Sequence, residues 1–174
     1  MTIQQSRRPV AAARMAALAR NLLNAAPLCA IATVAPGSRA HVNTAYFAWS
    51  PEFDLVWLSE PQARHSRNIR ASRTVAIAVF DSRGSWGKPD RGIQLFGWAR
   101  EVKRAASRDS ETLYEERFPD YRQSELSAYR IYRFSPRSLK LFDERALGSG
   151  VFVTAKVAPR GRLTWERTEI YRSG

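Results

Sequence analysis

The sequence predicts a mainly β chain of the α+β class, an antiparallel barrel or sandwich with flanking helices. Short apolar runs recur between turn signals such as Pro36-Gly37, Ser50-Pro51, Ser135-Pro136 and Pro159-Arg160-Gly161, the pattern of strands joined by tight connections. Helical spacing is confined to a few segments, near residues 10–26, after Pro61 and within 107–128. A closed barrel would also dispose of vulnerable sheet edges. With 174 residues, 44% hydrophobic and 11% aromatic, the chain can bury one sizeable core. A single domain over residues 1–174 is therefore expected.

The elements follow in order. Val10, Met15, Leu18, Ala19, Leu22 and Leu23 fall at helical spacing, which predicts an amphipathic helix limited by Pro27. Strands are expected at about 28–35 and 40–49, turning at Pro36-Gly37, and again at 54–59 after the Ser50-Pro51 connection. The Arg-rich helix leads into Thr74–Phe80, where small residues on both faces suggest a strand covered on both sides. Residues 81–92 read as a loop, with Gly84, Gly87, Pro89 and Gly92, and 93–103 as a strand. Residues 107–128 read as helix, break and helix, because the residue before Pro119 avoids helical backbone. Two strands, 129–134 and 139–142, are expected around a turn at Ser135-Pro136. Residues 151–157 and 163–167 then form strands about the Pro159-Arg160-Gly161 turn.

The junction at 54–80, DLVWLSEPQARHSRNIRASRTVAIAVF, holds the most chemistry. A strand ends at Leu58 and Ser59, and Pro61 is placed where a helix would begin, a position that suits proline. The helix carries Arg64, Arg67, Arg70 and Arg73, with His65 beside the first. Free N–H groups at a helix start favour an anion, and guanidinium forks add charge-assisted donors. Ser59, the helix start, Arg64 and His65 can thus form a phosphate cradle. Spacing alone equally allows an amphipathic surface helix whose arginines are simply solvated.

Several function classes are weighed by composition. The net charge of +12 would attract anionic ligands. It is almost wholly arginine and spread along the chain, although the first 51 residues contain no acid. Without a basic block, it argues weakly for nucleic acid. No apolar run approaches a membrane span, and the basic, Ala-rich start lacks an apolar leader core, so a cytoplasmic location is expected. Cys29, the one cysteine, lies in an apolar strand pattern and reads as a buried small residue. His41, His65 and Cys29 are too few for a catalytic zinc site, and no Ser-His-Asp set or phosphate-loop glycine fingerprint can be assembled.

Three stretches carry a family resemblance: LCAIATVAPGSRAHVNTAYFAW (28–49), VWLSEPQARHSRNIRASRTVAIAVF (56–80) and GIQLFGWAREV (92–102), ending near YRFSPRSLKLFDE (132–144). In their order and separation the chain resembles the pyridoxamine 5'-phosphate oxidase-like, FMN-binding split β-barrel superfamily over roughly two-thirds of its length. The resemblance implies an antiparallel split β-barrel with a helical insertion at about 107–128. It implies a homodimer with flavin sites at the subunit interface, and FMN as cofactor.

It also implies site residues. Val42, Asn43, Thr44, Ala45 and Tyr46 would run alongside the flavin. Leu58 and Ser59 would end the next cofactor-binding strand, and Ser59, Arg64, His65 and Arg67 would serve the phosphate, with His65 standing where the family often has Lys. Gln94 would reach the pyrimidine edge of the ring, although the oxidases place their Gln at the position of Gly92. Phe142 stands where the oxidases often have Trp, and equally reads as a core aromatic. The substrate-gripping Arg-Leu-His-Asp-Arg-like run of true pyridoxamine phosphate oxidases is missing, so vitamin B6 oxidation is not expected.

Among the tryptophans, core packing is expected for Trp57 and Trp98. Trp86, in the Gly/Pro-rich loop, is a candidate to close over a ligand. The expectation is an FMN-binding oxidoreductase acting on an unidentified small molecule, with no catalytic residue and no metal assigned. A deazaflavin- or haem-binding split barrel, a non-catalytic flavin binder and a basic nucleic-acid-binding barrel remain the alternatives.

Overall fold

The computed structural model describes residues 2–6, 8–81, 85–103, 106–121 and 128–172. The chain is mainly β and mostly antiparallel, with ten strands and four helices among the described residues. It groups into two compact units interleaved along the sequence: residues 1–26, 78–95 and 137–174 form the first, residues 27–77 and 96–136 the second.

In the first unit, β1 (Thr2–Ser6) pairs antiparallel with β10 (Arg162–Arg172), from Thr2 opposite Arg172 to Ser6 opposite Thr168. β1 escaped the sequence because TIQQS has no apolar alternation and is largely exposed. β10 pairs with β9 (Val151–Ala158), with a register shift between Trp165 and Arg167. The β9–β10 turn puts Arg160 and Gly161 at φ 61° and 69°. α1 (Ala12–Asn24) buries Met15, Ala19, Leu22 and Leu23 of the predicted stripe and packs on β10, while Leu18 is half-buried and Val10 precedes the helix. α4 (Glu144–Leu147) is capped by Asp143, whose side chain accepts from the N–H groups of Arg145 and Ala146, a favoured N-cap arrangement.

In the second unit, β2 (Leu28–Ala35) and β3 (Arg39–Tyr46) form a hairpin in continuous register, Leu28 opposite Tyr46 through Ala35 opposite Arg39. The expected strand 40–49 is broken at Phe47, and β4 (Ala48–Trp49) pairs instead with β5 (Leu55–Ser59). The turn between them is closed by Phe53 N–H donating to the Ser50 carbonyl at 2.9 Å. One face of the hairpin carries Cys29, Ile31 and Thr33 into the core. The other carries Leu28, Ala30, Ala32 and Val34 opposite Tyr46, Thr44, Val42 and Ala40. None of these eight is charged, and Val42 is 65% and Tyr46 55% exposed.

Three strands pass through both units: β6 (Thr74–Phe80), β7 (Arg91–Glu101) and β8 (Arg130–Asp143). The hydrogen-bonded order is β1-β10-β9-β8-β7-β6-β2-β3, with β5 on β8 and β4 on β5. Contrary to expectation, β6 is not covered on both sides. Val75, Ile77 and Val79 are buried, while Ala76 and Ala78 are half-exposed.

The expected turn at Ser135-Pro136 is also absent, and β8 runs straight through it. Residues 130–134 pair with β5 and 138–142 with β9. Pro136 falls between those two ladders, where its missing N–H takes no bond from either. Gly97 on β7 meets this spot; a Cβ there would touch the Ser135 carbonyl oxygen and lie 2.8 Å from Pro136 Cα. α3 (Arg108–Arg117) ends at Phe118, before Pro119, as predicted. The helix expected after the break falls largely on 122–127, outside the described residues.

Candidate functional site

The site lies in the second unit, around the passage from β5 to an eight-residue helix, α2 (Arg64–Ala71). Pro61 is not the first helical residue, as the sequence suggested. Ala63 N–H donates to the Glu60 carbonyl at 3.1 Å, which makes Pro61 the second residue of a β-turn, its other favoured place. Ala63 is then the N-cap, with no side-chain cap and no acidic residue in the first turn. The helix start therefore keeps donors free for an anion.

The faces of α2 separate by helical spacing. His65, Ser66, Asn68 and Ile69 are buried, and Arg64, Arg67 and Arg70 point outward. The buried side is a polar network. Ser59 Oγ and His65 Nε2 share a hydrogen bond of 2.6 Å, and the Ser66 hydroxyl donates to Ser59 Oγ at 3.1 Å. Asn68 Nδ2 donates to Thr33 Oγ1 at 2.9 Å, tying the helix to β2. Burial, and then the neighbouring His41, hold the His65 pKa below its ordinary value, because a desolvated imidazolium is disfavoured. His65 is thus a neutral partner in this network, not a second cation beside Arg64.

Two cavities flank the start of α2. The first, of about 480 Å³, is lined by Arg39, Ala40, His41, Arg64, Arg67 and Asn68 with Ala35 and Pro36. It has three guanidiniums and no carboxylate. The second, of about 350 Å³, is lined by Asn43, Thr44, Ala45, Tyr46, Leu58, Ser59, His65, Tyr114 and Tyr129, with Glu60 and Ala63 at the turn. It has no arginine or lysine. Both cavities draw on β3, from Arg39–His41 to Asn43–Tyr46. Ala45 and His41 are four residues apart, a separation of about 13 Å along a strand.

The structure therefore sorts the expected residues into two groups. Asn43, Thr44, Ala45, Leu58, Ser59 and His65 gather at the second cavity, and Arg64 and Arg67 at the first. The Ser59 hydroxyl already serves His65 and Ser66. Val42 lines neither cavity; it stands on the exposed uncharged face of the hairpin. Gln94 is half-buried on β7 and also lines neither. Phe142 packs in the first unit against Gly92, where a Cβ would strike its ring, and 5.7 Å from the Phe152 ring.

Trp57 is fully buried and stacks on Tyr132 at 5.8 Å. Trp98 departs from the expected core role, being 53% exposed on the outward side of β7 beside Phe96. Trp86 is fully exposed in the first unit. Cys29 is buried, and desolvation pushes its thiol up to about 12.

The residues that sequence reasoning missed are Arg39, His41, Tyr114 and Tyr129. Arg39 and His41 alternate on β3 and so share a face, a signal that was present. Tyr114 had none, because it reaches the cavity only through the packing of α3 on β4 and β5. There it joins a ring cluster, 4.9 Å from Phe118 and 5.2 Å from Tyr121, with Tyr46 5.7 Å from Phe118. Burial raises the Tyr114 phenol to about 12, so it remains a hydrogen-bond donor at neutral pH.

The donor set fits a ligand with one anionic and one aromatic end. Arginines, unengaged helix N–H groups and a wide cavity suit a phosphate. The neutral strand and phenol lining of the other suits a planar ring with hydrogen-bonding edges. No group of three or more His, Cys, Asp or Glu able to hold a metal occurs among the described residues.

A family profile described as pyridoxamine 5'-phosphate oxidase matches residues 15–142. Among solved structures, a protein of unknown function from Agrobacterium tumefaciens is 15% identical with a TM-score of 0.67. The match covers 87% of this chain and 60% of that one, so the chain spans well under two-thirds of that relative. HutZ, the heme storage protein from Vibrio cholerae, is 21% identical with a TM-score of 0.57, covering 67% of this chain and 86% of its own. A FAD-binding protein from Mesorhizobium loti is 16% identical with a TM-score of 0.52, covering 80% and 96%. No curated protein matches the chain by sequence.

Proposed function

The chain belongs to the pyridoxamine 5'-phosphate oxidase family, whose fold is the antiparallel split β-barrel, and on that premise we propose that it is a flavin-binding oxidoreductase using FMN. The observation that carries this reading is the pair of cavities at the start of α2, one lined by three arginines and one phenol-lined without a cation, with Glu60 at its turn. In it, Arg64 and Arg67 hold the phosphate together with the first-turn N–H groups of α2. The strand Asn43–Ala45, with Leu58 and Tyr114, borders the ring. His65, kept neutral and fixed by Ser59, orients the turn between the two ends.

Bound flavin supplies the hydride or electron transfer, while the protein supplies position and environment. The substrate is a small molecule reaching the open side of the phenol-lined cavity. The protein acts as a homodimer in the cytoplasm, its subunits meeting through the uncharged outer face of β2 and β3. An exposed apolar surface of this kind, on a chain otherwise rich in charge, marks an interaction site. No helix among the described residues is long and apolar enough to cross a membrane.

Titration of the purified chain with FMN, followed by the visible absorption of oxidised flavin and by quenching of its fluorescence, tests the reading. Arg64→Ala removes a charge-assisted contact of about 1.5–3 kcal/mol, so affinity should fall roughly 10- to 150-fold. Unchanged FMN affinity in that variant removes the phosphate role. A Soret band on addition of hemin, with no flavin binding, replaces the flavin by haem.

A further inference from the structure

The polar network behind α2 does not end at Ser66. The Ser66 hydroxyl also hydrogen-bonds the phenol of Tyr132 on β8, and the Tyr132 hydroxyl donates to Glu101 Oε2 on β7 at 3.1 Å. A continuous line of polar atoms therefore runs from His65 Nε2 through Ser59 Oγ, Ser66 Oγ and Tyr132 Oη to Glu101 Oε2. Its middle is sealed, with Ser66 and Tyr132 fully buried and Ser59 nearly so. Both ends are open. The Glu101 side chain is 34% exposed, with Arg70 at 3.6 Å and Arg130 at 3.9 Å beside its carboxylate. At the other end His65 lines the phenol-lined cavity. Its second ring nitrogen, Nδ1, bonds to no described residue and yet keeps contact with solvent. Glu101 alone satisfies the Tyr132 proton; the Ser66 contact is what joins the two halves of the line.

We propose that this line is a proton relay between the phenol-lined cavity and solvent at Glu101. The inference rests on the reading of that cavity as the place of hydride transfer, where a substrate must also lose or gain a proton. A neutral imidazole has one nitrogen that accepts and one that donates, and each hydroxyl does both. With Glu101 ionised, Tyr132 donates to it, Ser66 to Tyr132, Ser59 to Ser66, and His65 Nε2–H to Ser59. A proton taken from the cavity by Nδ1 then releases the one on Nε2. Ser59, Ser66 and Tyr132 each accept one proton and pass on their own. Glu101 Oε2 receives the last and gives it to water. One proton crosses, no electron moves, and every group ends with the charge it began with. The ring is left protonated on Nδ1 and the hydroxyls point inward, as Ser66 does toward Ser59. The line is then set for the reverse transfer, which an oxidoreductase requires in its other half-reaction. His65 is the end that meets the ligand, and Ser59, Ser66, Tyr132 and Glu101 act through it.

Nitrogen NMR of the full chain without flavin tests this, because the sequence has only two histidines to resolve. At about pH 8, above the ordinary imidazole range, the ratio of the two neutral His65 tautomers reports which way the line points. The parent should favour Nε2–H, drawn outward by the Glu101 carboxylate. In Tyr132→Phe the Ser66 proton is left with Ser59, and the ratio should move toward Nδ1–H roughly 2- to 12-fold, the worth of one hydrogen bond. Glu101→Ala leaves the Tyr132 proton no acceptor but Ser66 and should move it the same way. Circular dichroism checks that both variants fold, and the half-exposed Glu101 carries the test if Tyr132→Phe does not. Neither residue lines a cavity, so FMN affinity should stay that of the parent. Reduction of bound FMN by dithionite should slow roughly tenfold or more in either variant, with a changed solvent deuterium isotope effect. A tautomer ratio that stays put or moves toward Nε2–H overturns the relay, as does an unchanged reduction rate and isotope effect. A ratio that moves as expected in a chain that binds no FMN faults the flavin reading alone.

Discussion

Replacing Ser59 by Ala should cost the protein stability before it costs any ligand contact. The hydroxyl is bonded to His65 Nε2 at 2.6 Å and accepts from Ser66 at 3.1 Å. His65 is only 7% exposed and Ser66 not at all. Their polar atoms would therefore be stranded away from water, at about 1–3 kcal/mol for each unpaired group. Ser66 can turn its hydroxyl toward another acceptor, so the sum is set at about 2–4 kcal/mol. For a chain of this length each kcal/mol lowers Tm by about 2–4 °C, which places the fall at roughly 5–15 °C. Thermal unfolding by circular dichroism reads it directly.

A double-mutant cycle adds Ser66→Ala. Because the two residues share one bond, the pair should cost less than the sum of the singles. A Tm for Ser59→Ala within about 1 °C of the parent, given the expected 2–4 °C per kcal/mol, would refute the network. A simultaneous loss of FMN affinity would return the hydroxyl to the ligand.

Other outcomes follow from the same geometry. Acidification should destabilise the chain through His65. Its folded pKa lies below the unfolded value of about 6.5, so the unfolded state binds the proton first. The stabilisation is whole above that value and is lost as pH falls from it toward the folded pKa; His65→Gln, compared by Tm from neutral to mildly acid pH, should flatten the slope. Cys29, buried with its thiol raised to about 12, should resist a thiol-reactive dye in the native state and react fully in denaturant. Gly97→Ala should destabilise by about 1–3 kcal/mol or more, since the added methyl meets the backbone at Ser135-Pro136; an unchanged denaturant midpoint would contradict that contact. Val42→Lys, on the uncharged face of the hairpin, should shift the mass measured by light scattering from dimer to monomer without changing far-ultraviolet circular dichroism.

Local signals gave the strand content well. Thr74–Phe80 and Leu28–Ala35 alternate cleanly, and α1 buries four of the six residues its spacing marked, Val10 lying before the helix and Leu18 being half-buried. Two of the failures share a cause, which is that proline marks a backbone preference and not its consequence. Pro61 shapes a turn ahead of the helix, and Pro136 sits inside a long strand between two pairing partners. Trp98 was misplaced because alternation tells which residues share a face, not which face is covered. The junction from Ser59 to Arg67 was legible as a candidate site since all its residues are close in sequence. Its division into an arginine-lined and a phenol-lined cavity was not, because Arg39, His41 and Tyr114 arrive from β3 and α3 through tertiary packing.

The hairpin of β2 and β3 has a bearing on how the chain is made. It leaves the ribosome long before β6, which is its neighbour in the sheet, and before α2, which packs on it. During that interval Cys29, Ile31 and Thr33 on one side and Leu28, Val34, Val42 and Tyr46 on the other are all open to solvent. A nascent ribbon with no acidic or basic gatekeeper along either side between Leu28 and Val34 invites pairing with other chains. Slowed synthesis or chaperone supply should accordingly govern soluble yield more than the stability of the finished protein does.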